Sequence, residues 1–358
     1  MFIQLFERID PMNLINISSG IKTTYEVTLK YSILWECALG IAASTYDELH
    51  HSLEKSKQYW SDIINKLSSE AQKELEYSKR YNTWSTLLQL LHVKDFEDLR
   101  SFLQYIENSC EKDLRFYSLP YLGKQNEDNR AKASIGDIEA RMQLIEICSN
   151  HKFFADYIEF ICTVSIDILK NHLISLMQAW YETIIKQDEA YTLSILEKDF
   201  KAKSIMKKKL TPEKFVEWTI GDTYVPEPTV TNVLLIPQYI YRPWTVETDD
   251  INTKIFYYPI SDESIISNND RYIPSFTLVQ EYKALGDEVR LKMIKFLYEG
   301  DKTLQELTEK FDIAKSTVHH HLSLLRSVRI VQTLNSMYHL NKDVLFAIES
   351  DMKIYLEK

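Results

Sequence analysis

The sequence predicts a mainly α-helical protein in two unequal parts. A large helical N-terminal region carries a small β element, and a C-terminal unit combines short helices, a two-stranded hairpin and a closing helix. Three observations predict this. Apolar residues recur at three- and four-residue steps through most of 32–195 and again after 276. Gly and Pro number only 7 and 9, too few for an all-β chain with many tight turns. Between about 229 and 260 the pattern changes to β-branched and aromatic runs bounded by Pro. A length of 358 residues with 45% hydrophobic content can fill two or three cores. The expected domains are 1–270 and 275–358, with the boundary in the polar stretch 261–274.

Taken in order, the chain opens with apolar and polar residues alternating through Thr23-Thr-Tyr-Glu-Val-Thr-Leu29, which predicts a short strand or an extended entry. Amphipathic helices are expected over 53–67, 82–92, 95–109, 135–150 and 153–185, with Asp95 and Ser134 as N-caps. Residues 120–129 read as a polar loop. Thr211-Pro212 opens a further helix with Pro in its first turn. The runs 232–237 and 253–259 read as strands pairing across a loop, with their Pro residues at strand ends or sheet edges. No internal repeat of fixed period is present.

Cys37, Cys110, Cys148 and Cys162 lack paired spacing and sit in helical patterns, as buried free thiols in a reducing compartment would. The N-terminus lacks the charged and apolar segments of a signal peptide. The most apolar run, 31–44, is interrupted by Glu36 and is too short to span a bilayer. A cytoplasmic protein with no membrane partner is expected.

The C-terminal unit is the most legible. A helix over 276–285 ends at Gly286, and Asp287 caps the next, 288–298, with Leu291, Ile294 and Leu297 expected to point inward. Thr303-Leu-Gln-Glu306 is a capping box that opens a third helix with Leu304 and Leu307 buried. Asp312-Ile313 makes a turn into Ala314-Lys-Ser-Thr-Val-His-His-His-Leu-Ser-Leu-Leu-Arg326. Val318, Leu322 and Leu325 lie on one face of that helix, and Lys315, Ser316, His319, His320 and Ser323 lie on the others. Residues 330–334 and 337–340 flank Asn335-Ser336 as a hairpin, and 343–356 form the last helix. This is the element order of a winged helix-turn-helix. A polar, acid-free helix face behind a short helix and a tight turn is what DNA recognition requires.

Charge supports that use locally. The chain carries a net charge of −10, which disfavours indiscriminate nucleic-acid binding. Yet residues 276–358 balance, with twelve basic and twelve acidic side chains. No Asp or Glu occurs from Ile313 through Lys342, while Lys315, Arg326, Arg329 and Lys342 do.

The last 80 or so residues resemble the ArsR/SmtB winged-helix transcriptional regulators. The resemblance rests on Lys283-Ala-Leu-Gly-Asp-Glu-Val-Arg-Leu-Lys-Met-Ile294, on Leu304-Gln-Glu-Leu307, and above all on Ser316-Thr-Val-His-His-His-Leu-Ser-Leu-Leu-Arg326. The long N-terminal part, with Leu235-Ile-Pro-Gln-Tyr-Ile-Tyr-Arg-Pro-Trp244, looks like the extension some members carry. The resemblance implies a homodimeric, sequence-specific DNA binder, usually a repressor, dimerising through the first and last helices of the unit. This chain departs from the family pattern in three places. Ala314 stands where a Ser cap is usual, so Asp312 is expected to cap instead. The wing is short, with Asn335 and Ser336 at its tip. No Cys lies in 303–311 and no His in 343–358, so no metal is expected at the family's sites.

The candidate DNA-contacting residues are therefore Lys315, Ser316, Thr317, His319, His320, Ser323 and Arg326. The first turn presents side chains and backbone N–H groups to phosphates and base edges. Arg326 and Arg329 suit either a phosphate or an acid on a partner subunit. Three consecutive histidines point about 100° apart and cannot close one metal site, so His319 and His320 are expected outward and His321 inward. The basic stretch 201–209 reads as a solvated face or a supplementary phosphate contact.

No nucleophile-elbow, phosphate-loop, dinucleotide or zinc-protease motif occurs. No catalytic residue or cofactor is expected, and His50, His51, His92, His151 and His172 read as surface or satisfied core residues. The aromatic residues are expected to be core more than a ligand pocket, although a small-molecule effector would fit such a regulator. Two rival readings are a protein-interaction adaptor that uses the winged helix without DNA, and an N-terminal enzyme with the winged helix appended.

Overall fold

The computed structural model describes residues 2–4, 25–265, 272, 274–334 and 337–357. Its largest sheet is built from β1 (Phe2–Gln4), β2 (Glu26–Leu29), β3 (Asn232–Gln238), β4 (Thr245–Asp250) and β5 (Thr253–Pro259), in the order β1-β4-β5-β3-β2. β3 lies parallel to both β2 and β5, and β4 runs antiparallel to β5. Leu234 stands opposite Ile255, Leu235 opposite Phe256 and Ile236 opposite Tyr257.

Successive side chains of β3 and β5 enter two different cores. Leu234, Ile236, Ile255 and Tyr257 pack into the helical array, while Val233, Leu235, Phe256 and Tyr258 meet Phe215, Val216 and Ile220 on the other face. A parallel pair covered on both faces needs apolar residues at every position, which explains the unbroken run in β3. The two expected strands do pair, but in parallel, because β4 intervenes between them. β4 went unread because Thr245-Val-Glu-Thr-Asp-Asp250 is polar. Its acids are matched across the hairpin by buried Lys254, 3.0 Å from Glu247 and 3.1 Å from Asp249. Pro237 lies beyond Leu235, where β2 stops pairing, so its missing N–H interrupts nothing there.

Almost the whole helical array is inserted between β2 and β3. Its Ile33–Thr45 helix is buried along its entire length, and Glu36 within it is only 3% exposed. The Glu36 carboxylate accepts the backbone N–H groups of Tyr239 and Ile240, the latter at 3.1 Å, fastening this helix to the end of β3. Two helices start three residues later than expected. Asp98 rather than Asp95 caps Leu99–Asn108, because Ser101 completes a capping box with it. Asp137 rather than Ser134 caps Ile138–Ile147, accepting the Ala140 N–H at 2.9 Å.

The expected helix over 153–185 is broken. Val164 is extended, and Phe154–Thr163 meets the segment Ile166–Ile185 at 116°. The expected loop at 120–129 contains the start of the Glu127–Ala133 helix. Cys37 and Cys148 are buried and Cys162 half-buried, but Cys110 is exposed, because its sulfur caps Glu111–Ser118. No single helix among the described residues is long and apolar enough to cross a membrane.

The C-terminal unit has its own core, which includes Met293, Leu297, Leu307, Val318, Leu322, Leu325, Ile330, Leu340 and Ile348. Its helices are Phe276–Leu285, Glu288–Tyr298, Leu304–Phe311, Lys315–Ser327 and Lys342–Glu357, with β6 (Val331–Leu334) and β7 (Met337–Leu340) as an antiparallel wing. Leu291, expected inside, is 51% exposed, because Met293 and Ile294 take the inward positions of its helix. Leu304 is only partly buried. The wing tip at 335–336, residues 5–24 of the extended entry, and 266–271 and 273 of the expected boundary 261–274 lie outside the described residues.

Replacing Glu36 with Ala leaves two backbone donors without their acceptor and should cost about 1–3 kcal/mol, read from urea unfolding. Burial pushes the Glu36 carboxyl up to about 7 from its ordinary 4.5. The folded state then binds this proton more tightly than the unfolded state. Its contribution to stability should fall as pH rises from about 4.5 through about 7, and Glu36→Gln should abolish that slope.

Candidate nucleic-acid interface

The Thr303–Glu306 box forms as expected. Thr303 Oγ1 accepts the Glu306 N–H at 3.2 Å, and Glu306 Oε2 accepts the Thr303 N–H at 2.7 Å. The helix it opens ends on Asp312, whose φ of 49° is left-handed. That corrects one expectation. Asp312 serves as the C-cap of Leu304–Phe311, and Ala314 at the start of Lys315–Ser327 offers no side-chain cap. The Lys315 and Ser316 N–H groups are therefore left for an external acceptor, while the Thr317 N–H donates to Ala314 O at 2.8 Å.

Val318, Leu322 and Leu325 are fully buried, which fixes how the helix is rotated. Lys315, Ser316, Thr317, His319 and His320 are exposed, and Ser323 is half-buried. His321 turns inward, where its Nδ1 is 3.8 Å from Asp287 and 3.5 Å from an Arg290 guanidinium nitrogen. Burial lowers the pKa of that imidazole. The histidines thus divide as their spacing suggests. No cluster of three metal-ligating side chains occurs among the described residues.

Arg326 is placed differently from the exposed first turn. It is half-buried, 6.0 Å from the centre of the Tyr338 ring, and its Nε has no hydrogen-bond partner. Arg329 ends the helix in the left-handed region, with φ 60°. The Arg329 N–H donates to Arg326 O at 2.9 Å and the Ile330 N–H to Leu325 O at 3.1 Å, the paired bonds of a Schellman motif, in which the left-handed position usually belongs to Gly. Its guanidinium lies against Gly221, where a Cβ atom would collide with it. Asp222 is the acid near both arginines. Burial raises its pKa, and the charges of Arg329 and Arg326 oppose that rise. The two arginines therefore face an acid of their own chain. His320 also meets the N-terminal part, its ring centre 6.2 Å from that of exposed His51. In the 201–209 stretch, Lys203 is buried 3.9 Å over the Trp218 ring, whereas Lys207, Lys208 and Lys209 are exposed.

The N-terminal part holds one side-chain chain that the sequence spacing did not reveal. Thr83 Oγ1 lies 2.6 Å from His172 Nε2, and His172 Nδ1 bonds Glu74. The order hydroxyl, imidazole, carboxylate is that of a nucleophilic triad. Thr83 is completely buried and His172 is 4% exposed, so this hydroxyl meets no substrate in the folded chain. The bonds satisfy a core histidine, whose pKa burial lowers.

A short capped helix, a turn, a helix with a buried stripe and a two-stranded wing define a winged helix-turn-helix unit. Residues 287–333 match the family described as bacterial regulatory protein, arsR family, so this segment is an ArsR-type helix-turn-helix joined to a large N-terminal extension. The chain is also similar to the transcriptional repressor SdpR of Bacillus subtilis (strain 168), 34% identical over 50 residues. That alignment covers 14% of this chain and 56% of the repressor, so the chain spans just over half of this relative's length. No solved structure matches the chain.

Restoring a cap with Ala314→Ser should stabilise the C-terminal unit by about 0.5–2 kcal/mol, seen as a higher thermal midpoint. An unchanged midpoint would mean that these N–H groups already have an equivalent acceptor.

Proposed function

We propose that this protein is a cytoplasmic, homodimeric, sequence-specific DNA-binding transcriptional regulator, acting as a repressor. The single observation that carries the reading is the exposed, acid-free first half of the Lys315–Ser327 helix, set on a buried stripe in an ArsR-type unit. Residues 1–270 form the regulatory and dimerisation part, and 275–358 the DNA-binding part. The Lys315 side chain and the free N–H groups of Lys315 and Ser316 hold phosphates, while Ser316, Thr317, His319, His320 and Ser323 meet base edges in the major groove. Arg326 reaches the duplex only after leaving Asp222. Two such helices on a dimer would read half-sites about one helical turn apart. The first and last helices of the C-terminal unit, which the resemblance assigns to dimerisation, would add to the interface made by 1–270, since they expose Tyr282 on the first and Phe346, Ile354 and Leu356 on the last.

A helix seated in a major groove has a phosphate strand on each side of it. His51, its ring centre 6.2 Å from that of His320, sits beside the helix face that would enter the groove, so in this reading the N-terminal part withdraws from His320 when DNA binds. The docked arrangement is then the one with low affinity for DNA.

The test selects a binding site from a genomic library with the full-length protein and measures affinity by anisotropy over a salt series. Lys315→Ala should weaken binding and reduce the salt slope by about one unit. The absence of any salt-sensitive duplex binding would sink the reading. Asp222→Ala removes the acid that faces Arg326 and Arg329, and should raise DNA affinity several-fold. An unchanged affinity would mean that docking is no restraint.

A further inference from the structure

The C-terminal unit and the N-terminal part enclose a cavity of about 400 Å³ between them. Glu281 and Asp351 line it from the Phe276–Leu285 and Lys342–Glu357 helices, Arg329 from the end of Lys315–Ser327, and Lys203 and Arg242 from the N-terminal part. The Arg242 and Lys203 charges already have partners. Arg242 holds Glu54 at 2.6 Å and also pairs with Asp262. Asp262 accepts the Thr277 N–H at 3.1 Å as well. Lys203 sits over Trp218.

Glu281, Asp351 and Arg329 have no hydrogen-bonded or ion-paired side-chain partner among the described residues, and Glu281 and Arg329 are the opposed pair. Glu281 is only 4% exposed, and its Oε2 has no hydrogen-bond partner. Burial, with Asp351 and Asp262 nearby, pushes its carboxyl up to about 7. A buried carboxyl beside two other acids lacks a donor. Arg329 is its counterpart. Its half-buried guanidinium has the Asp222 carboxylate and the like-charged Arg242 as neighbours, but it makes no hydrogen bond or ion pair with a side chain among the described residues. Its left-handed backbone is one that side chains rarely adopt, and such strain persists where the surroundings impose it.

We propose that this cavity binds a small zwitterion, a free α-amino acid or a dipeptide, with its ammonium group at Glu281 and its carboxylate at Arg329. The volume lies in the range of small-molecule sites. A ligand with a single charge would satisfy one of the two groups and leave the other buried and unpaired. The cavity exists only while the two parts are docked, because Lys203, Trp218 and Pro259 close its N-terminal side. A ligand that binds only the docked arrangement favours it over the separated one. The zwitterion therefore lowers DNA affinity, a consequence that rests on the DNA-binding reading above, whereas the site itself does not.

The test is calorimetric titration of the full-length protein, without DNA, with pools of the twenty free α-amino acids and then with dipeptides. At least one should bind saturably. Glu281→Gln and Arg329→Gly should each weaken it about tenfold or more. Glycine suits the left-handed position, so Arg329→Gly should keep the fold, checked by an unchanged or raised unfolding midpoint. No saturable binding at millimolar concentration, or binding that both variants retain, overturns the site. Ethanolamine binding as tightly as the best zwitterion, undiminished in Arg329→Gly, overturns the ligand class. With DNA present the ligand should reduce duplex affinity several-fold. A protein that binds the zwitterion but never DNA would defeat the functional reading and leave the site standing.

Discussion

A guanidinium can lie flat on a backbone only where no side chain stands, and Gly221 provides such a place for Arg329. Both residues end helices in the left-handed region, Gly221 with φ 69° and Arg329 with φ 60°. Gly221 closes the Pro212–Ile220 helix, which rests on the sheet through Phe215, Val216 and Ile220. Arg329 closes the helix proposed to enter DNA. The two helix ends meet, so the Lys315–Ser327 helix is braced against a helix that itself rests on the sheet. A β-branched residue at either position could not hold that geometry.

The same contact redistributes charge. Between Ile313 and Lys342 the sequence is purely cationic, but acids elsewhere in the chain fold back against its later part. Asp222 faces Arg326 and Arg329, and Lys342 stands 4.2 Å over the Tyr298 ring. Lys315 and Lys342 remain exposed without a partner acid among the described residues, and of the two only Lys342 lies over an aromatic ring. Of these exposed cations, Lys315 is the one at a helix start, where an anion also meets free backbone N–H groups of Lys315 and Ser316.

The C-terminal unit was legible because its signals are local. Ser275, Asp287 and Thr303 each cap the helix that follows them, and Gly286 and Gly300 lie where helices end. In the N-terminal part Asp95 competed with Asp98 and Ser134 with Asp137, and only a reciprocal bond or a particular backbone angle decides between such neighbours. Leu291 misled because apolar spacing cannot tell a residue facing the core from one facing solvent or another subunit. β4 stayed hidden because its acids are neutralised by Lys254, a partner whose pairing depends on the sheet. The contacts between the two parts, Asp222 with Arg326 and His51 with His320, join residues far apart in sequence and leave no periodic trace.

The placement of the helical array between two neighbouring parallel strands has a consequence for how the chain comes to be folded. β2 ends at Leu29 and its partner β3 begins at Asn232. During synthesis the sheet cannot close until that partner has left the ribosome, so the helices must hold together first on their own local contacts. Closing so long a loop carries an entropic cost of several RT, met only when both faces of β3 find their cores at once. Tyr25 and Val27 therefore remain unpaired apolar residues through most of the chain's elongation. The nascent protein spends that interval with an open strand edge, the feature that invites pairing with another chain.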